Sequence, residues 1–165
     1  MALTTAQLQT LKAAIAAETD PAFVEYLANG DNGMMANWFN QPTDPGFIVW
    51  RTSVSDDEIM SNGFDWVRVD NLSVGKARIW EWLFSNTNGV MNPSKANVRA
   101  GIDECWKGTA ADLAVRAAVY VHCKLAAKRG EALYATGTGT DAVPGALVFE
   151  GNLNPTDITA ARNLE

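Results

Sequence analysis

The sequence predicts a mainly α-helical single domain, a bundle of about six to seven helices around one central buried helix over 109–134. Three observations carry that expectation. Apolar residues recur at helical spacing, as in Leu113, Ala117, Tyr120, Val121 and Leu125. Several such runs begin with a hydroxyl or carboxylate three positions ahead of a polar partner, the arrangement that satisfies orphan N–H groups at a helix start. Two short apolar runs, 47–50 and 147–149, read as extended, and the first has no alternating partner close by, so a large sheet is not expected.

Thr4 with Gln7 opens the first helix, Thr5 to Glu18, with Leu8, Leu11 and Ile15 as one apolar stripe. Asp20 caps a second helix with Pro21 at its first position, and Gly30 ends it. Asp31 caps a third that carries Met34, Met35, Trp38 and Phe39, which plug the core or form a sticky surface. The prolines in Gln41–Gly46 punctuate the chain before the extended run Phe47–Trp50. Ser55 with Glu58 opens a short helix through Met60, which Asn62-Gly63 stops.

Phe64–Asp70 reads as a loop packed against the body. A helix over Asn71–Phe84 presents Leu72, Ile79, Trp80 and Leu83 on one face and turns Trp82 to another side. Asn86–Gly89 is a turn. Asn92-Pro93 starts the next helix, with Val98, Ile102 and Trp106 in line and Gly108 as the stop.

The central helix follows, opened by Thr109 with Asp112. From Ala117 to Cys123 it is apolar on nearly every side, as a buried helix is. Lys124, Lys128 and Arg129 complement the macrodipole at its C-terminal end, and Gly137 offers a left-handed stop. Residues 137–151 form an extended arm within the domain. That arm folds back on its own body or adds to a neighbour. Asn154-Pro155 begins a last short helix with Ile158.

With 165 residues, 47% apolar and only 19% charged, the chain is one folded domain, 1–165, and not a disordered tail. A net charge of −6 argues against a general nucleic-acid binder. Cys105 and Cys123 lack metal-ligand spacing and read as buried free thiols in a reducing compartment. His122 neighbours Cys123, but consecutive helical residues point about 100° apart, so the two are no preformed dyad. The chain shows no signal peptide and no apolar run of membrane-spanning length, so it is expected in a cytoplasm.

No sequence motif for a catalytic centre, metal site or cofactor is present. Gly-Thr-Gly-Thr-Asp at 137–141 lacks the preceding strand and following helix of a phosphate loop. A carboxylate pair of glycosidase type could draw on Glu58, Glu81 or Glu104, yet Glu58 is accounted for by capping and the others by solvated faces.

Six tryptophans are the compositional oddity: Trp38, Trp50, Trp66, Trp80, Trp82 and Trp106. A core of this size has limited room for them, so one or two are expected to be partly exposed. Trp50 with Arg51, beside the first extended run, and Trp82, off its helix's main stripe, are the candidate partner contacts. Leu147, Val148 and Phe149 of the arm complete the set.

Several stretches carry a family resemblance. They are Phe47-Ile-Val-Trp-Arg-Thr-Ser-Val-Ser-Asp-Asp-Glu-Ile59, Asn71-Leu-Ser-Val-Gly-Lys-Ala-Arg-Ile79 and Asn92-Pro-Ser-Lys-Ala-Asn-Val-Arg-Ala-Gly-Ile102. Ala135-Thr-Gly-Thr-Gly-Thr-Asp-Ala142 leading to Phe149-Glu-Gly151, and the opening Leu-Thr-Thr-Ala-Gln-Leu-Gln, complete them. In these the chain resembles small uncharacterised proteins encoded among the virion-structure genes of tailed bacteriophages and prophages.

The resemblance covers nearly the whole length, brings no catalytic motif and transfers no functional residue. It implies a non-enzymatic head–tail connection, tail or assembly component that contacts other phage structural proteins and forms homo-oligomers. Such a protein would occupy the host cytoplasm during assembly and then the virion. The alternatives are an intracellular adaptor or regulator, including a DNA-associated one using Lys124, Lys128 and Arg129, and a cell-wall hydrolase.

Overall fold

The computed structural model describes residues 3–61, 64–85 and 88–164. In chain order the elements are α1 (Thr5–Ala17), α2 (Pro21–Ala28), α3 (Asn32–Phe39), β1 (Ile48–Trp50), β2 (Val54–Ser55), α4 (Asp56–Met60) and α5 (Trp66–Asp70). Then come α6 (Val74–Ser85), β3 (Val90–Met91), α7 (Ala96–Cys105), α8 (Ala110–His122), β4 (Lys124–Ala126), α9 (Arg129–Tyr134), β5 (Gly145–Ala146) and α10 (Pro155–Arg162). Among the described residues ten helices make 56%, so the protein is mainly α with a little sheet. One sheet has the order β4-β1-β5, and β2 pairs antiparallel with β3, Val54 opposite Met91.

The chain divides into two compact units. Unit 2, Val49–Leu125, interrupts the sequence of unit 1, which is Met1–Ile48 with Ala126–Glu165.

The helix starts follow the capping chemistry. Thr4, Asp20, Asp31, Ser55, Asp65, Thr109 and Asn154 each accept a backbone N–H of the first turn through the side chain. Gly30, with φ of 70°, takes the left-handed position just past α2.

Unit 1 buries Leu11, Ile15, Phe23, Met35, Phe39, Tyr134, Leu153 and Ile158 in one cluster. Phe23 meets Phe39 edge-on, centroids 5.6 Å apart. Two glycines of the arm make room for Phe47. A Cβ on Gly139 would lie 2.2 Å from its ring, and one on Gly145 would lie 2.7 Å from it. The glycine-rich stretch is therefore a slot for an aromatic ring.

Glu131 is the one charged residue buried among the described residues. Its carboxylate accepts the N–H of Lys128 at 2.9 Å and of Gly151 at 3.0 Å, while Lys128 Nζ donates to Asn152 Oδ1 at 2.7 Å. Asn40 and Leu153 exchange two further bonds, Nδ2 to O at 2.8 Å and N to Oδ1 at 2.9 Å. These contacts tie 151–153 to Asn40, Lys128 and Glu131 within unit 1.

Unit 2 is built on aromatic rings. Trp80 and Trp106 meet edge to face at 5.3 Å, Phe64 stacks on Trp80 at 5.9 Å, and Phe84 closes on Trp80 at 5.2 Å. Val54, Ile59, Met91, Ile102, Val115 and Val119 complete the core.

The structure corrects the expected central helix. Residues 109–134 are α8, β4 and α9, in place of one helix. Cys123 caps α8 by donating its N–H to Tyr120 O, and its own carbonyl accepts the Arg51 N–H at 2.9 Å. Helical periodicity continues through Leu125, but pairing with an extended neighbour wins the backbone groups there. Nor is α8 buried all round: Val115 and Val119 face inward, whereas Val121 is 71% exposed.

Phe64–Asp70 is not a loop throughout, because Asp65 accepts the Val67 N–H and nucleates α5. The extended run expected at 147–149 is displaced. The strand is Gly145–Ala146, paired with Thr136, and the chain bends at Val148–Phe149. The helix expected from Asn92-Pro93 begins at Ala96, since Asn92 Oδ1 accepts the Ser94 N–H in a turn. The stop at Asn62-Gly63 and the first half of the Asn86–Gly89 turn lie outside the described residues.

Glu131→Ala leaves two part-buried N–H groups without their acceptor and is expected to lower stability by about 1–2 kcal/mol in urea denaturation. A loss below about 0.5 kcal/mol would show that the carboxylate does not hold the arm.

Candidate interaction surface

Helix α6 positions the surface. Trp80 and Phe84, four residues apart, share its inward face. Ile79 and Leu83 pack toward α7, where Gly101 allows close approach: a Cβ there would lie 3.1 Å from Leu83 Cδ2. Trp82 is two residues, about 200°, from Trp80 and stands 62% exposed. It borders a cavity of about 330 Å3 with Ile79, Leu83, Lys95 and Val98. Across α6 a second cavity, of about 460 Å3, is lined by Met60, Trp66, Val69, Trp80 and Phe84, with Asp56 and Glu81. Trp66 is 56% exposed.

Trp66 was not among the candidate contacts. Reading 64–70 as a loop hid it, although Asp65 ahead of Trp66 was the available signal for a capped turn that leaves its first residue outside.

The other candidates are placed as follows. Trp50 is half-buried, with Tyr120 at 5.3 Å and the Arg99 guanidinium 4.9 Å over its ring. Arg51 is engaged internally, with Glu58 at 2.8 Å and the His122 carbonyl at 3.1 Å. The backbone N–H of Ser55 and then Arg51 hold the Glu58 carboxyl below its ordinary value.

Leu147 is half-buried and Val148 is 63% exposed. Phe149 turns back on Tyr134 at 5.5 Å. The structure thus leaves Trp82 and Val148 open, and covers Trp50, Arg51, Leu147 and Phe149 in part. Of the three cations considered for nucleic acid, Lys124 lies 5.7 Å from the Trp50 ring, Lys128 is bonded to Asn152, and Arg129 stacks 3.6 Å from the Trp38 ring.

Charge is unevenly divided. Unit 2 has nine basic and nine acidic residues, whereas unit 1 has four and ten, so all of the −6 belongs to unit 1. Six of the ten large apolar residues exposed among the described residues, including both open indoles, are on the neutral unit.

Among the described residues no group of His, Cys, Asp and Glu could hold a metal ion, and no helix is long and apolar enough to cross a membrane. No family model, curated protein or solved structure matches the chain.

Two titration predictions follow from unit 2. Burial pushes the thiols of Cys105 and Cys123 up to about 11 and about 12, and both are free. The native protein is therefore expected to resist a disulfide thiol reagent at pH 8 and to release two equivalents on unfolding. Fast labelling of the native state would contradict the burial.

Asp112 is held down to about 2, first by the Arg68 guanidinium and then by the Thr109 N–H. A depressed carboxyl stabilises the fold above its ordinary value of 3.8, and that contribution is lost as pH falls toward about 2. In urea titrations Asp112→Asn should flatten the decline of stability over that window, and an unchanged decline would place the effect elsewhere.

Proposed function

We propose that the chain is a non-enzymatic structural or assembly component of a tailed-phage particle, in the head–tail connection or tail, acting through protein–protein contacts. The observation that carries this reading is the pair of open indoles, Trp66 and Trp82, on either side of α6 in a unit of zero net charge. Tryptophan supplies large contact area at low entropy cost and is enriched where partners bind most strongly. A neutral, apolar surface approaches another protein without charge repulsion, while the acidic unit 1 keeps the free chain soluble.

The helices of each unit are read as a bundle-like scaffold for that surface. The sequence resemblance to virion-gene products supplies the biological setting.

Deleting the gene from an inducible prophage is expected to lower the titre of infectious particles by about 100-fold or more. A Trp66→Ala, Trp82→Ala chain should accumulate folded and still fail to restore it, since a pair of interface indoles carries several kcal/mol. An unchanged titre on deletion would overturn the particle role, and full rescue by the double variant would overturn the indole surface.

A further inference from the structure

We propose that the cavity among α4, α5 and α6 is a receptor for a cationic side chain, arginine or lysine, presented by a partner protein. Its walls are Met60, Trp66, Val69, Trp80 and Phe84, and its polar side chains include two carboxylates, Asp56 and Glu81, with no cation among the described lining residues. Trp80 is buried and forms the floor, while Trp66 stands open at the rim, held edge-on to Phe64 at 5.5 Å. An indole face is the strongest aromatic partner for a cation.

Glu81 is exposed, and among the described residues no ion pair or hydrogen bond engages its side chain. Asp56 accepts the Asp57 N–H through one oxygen and forms no ion pair among the described residues.

The occupant is named by charge and shape together. An arginine or lysine buries an aliphatic stem against Met60, Val69 and Trp66 and leaves its charged head for Glu81. A purely apolar side chain would leave the two carboxylates without a counter-charge, and an anion would be repelled. A volume of about 460 Å3 lies in the range of small-ligand sites, about 300–1,000 Å3. The two carboxylates come from different helices, Asp56 from the first turn of α4 and Glu81 from α6, and both line the cavity.

The test follows the tryptophan indole N–H signals by NMR in the full chain, with the Trp66 signal assigned from Trp66→Phe. The probes are acetyl-Gly-Arg-Gly-amide, acetyl-Gly-Lys-Gly-amide and acetyl-Gly-norleucine-Gly-amide, which keeps the stem and lacks the charge. Saturable shifts of Trp66 with the cationic peptides, weakened about tenfold by Glu81→Gln and absent with norleucine, are expected. Equal shifts with norleucine, insensitivity to Glu81→Gln, or no saturation up to about 20 mM would each overturn the proposal. Trp66 and Glu81 are exposed, so circular dichroism should show both variants folded. The inference stands apart from the particle role: failure of the peptide titration leaves the deletion result untouched, and the reverse holds.

Discussion

Among the described residues, ten helices of five to thirteen residues leave about four unpaired N–H groups at each start, and satisfying them is the constraint on which the rest of this structure depends. Short helices have little cooperative stability of their own. A side-chain acceptor at the start therefore decides where each begins, and seven of the ten described helices have one. Glu131 extends the same logic beyond a helix start. It closes the first turn of α9 and reaches Gly151, twenty residues on, so one carboxylate serves both local and long-range backbone.

Each unit then solves its packing differently. Unit 2 gathers large rings, with Trp80 and Trp106 at the centre, and edge-to-face contacts give it a specific geometry at little entropic cost. Unit 1 relies on mixed aliphatic and aromatic packing, together with glycines that admit bulk close to the backbone, as where Phe47 enters the arm. The Gly-Thr-Gly-Thr stretch illustrates how a sequence that suggests a ligand loop can be explained by one neighbouring ring.

The division of charge gives the molecule a polarity of purpose. Acidic residues without matching cations are collected in unit 1, while the neutral unit 2 exposes two indoles beside two cavities on opposite sides of one helix. Exposed apolar surface of that kind costs free energy in water. Arg51 and Trp50, attractive as contacts by composition, are instead engaged inside unit 2 by Glu58, Tyr120 and Arg99.

Local chemistry was legible in the sequence because capping acts over three or four residues. Thr4 with Gln7, Ser55 with Glu58 and Thr109 with Asp112 each start a helix where their spacing says they should. The outward turn of Trp82 was also legible, since a helix's angular step is a property of the backbone.

What only tertiary structure decided were the positions where distant partners compete for the same backbone. Lys124–Ala126 left the helical pattern because extended pairing offered its hydrogen bonds elsewhere. Phe149 was drawn back to Tyr134, and Trp66 emerged at the rim of a cavity, because contacts between residues far apart in sequence settle which side of a short segment is covered. Periodicity reports which face of a segment is apolar; whether anything covers that face depends on neighbours that no local spacing encodes.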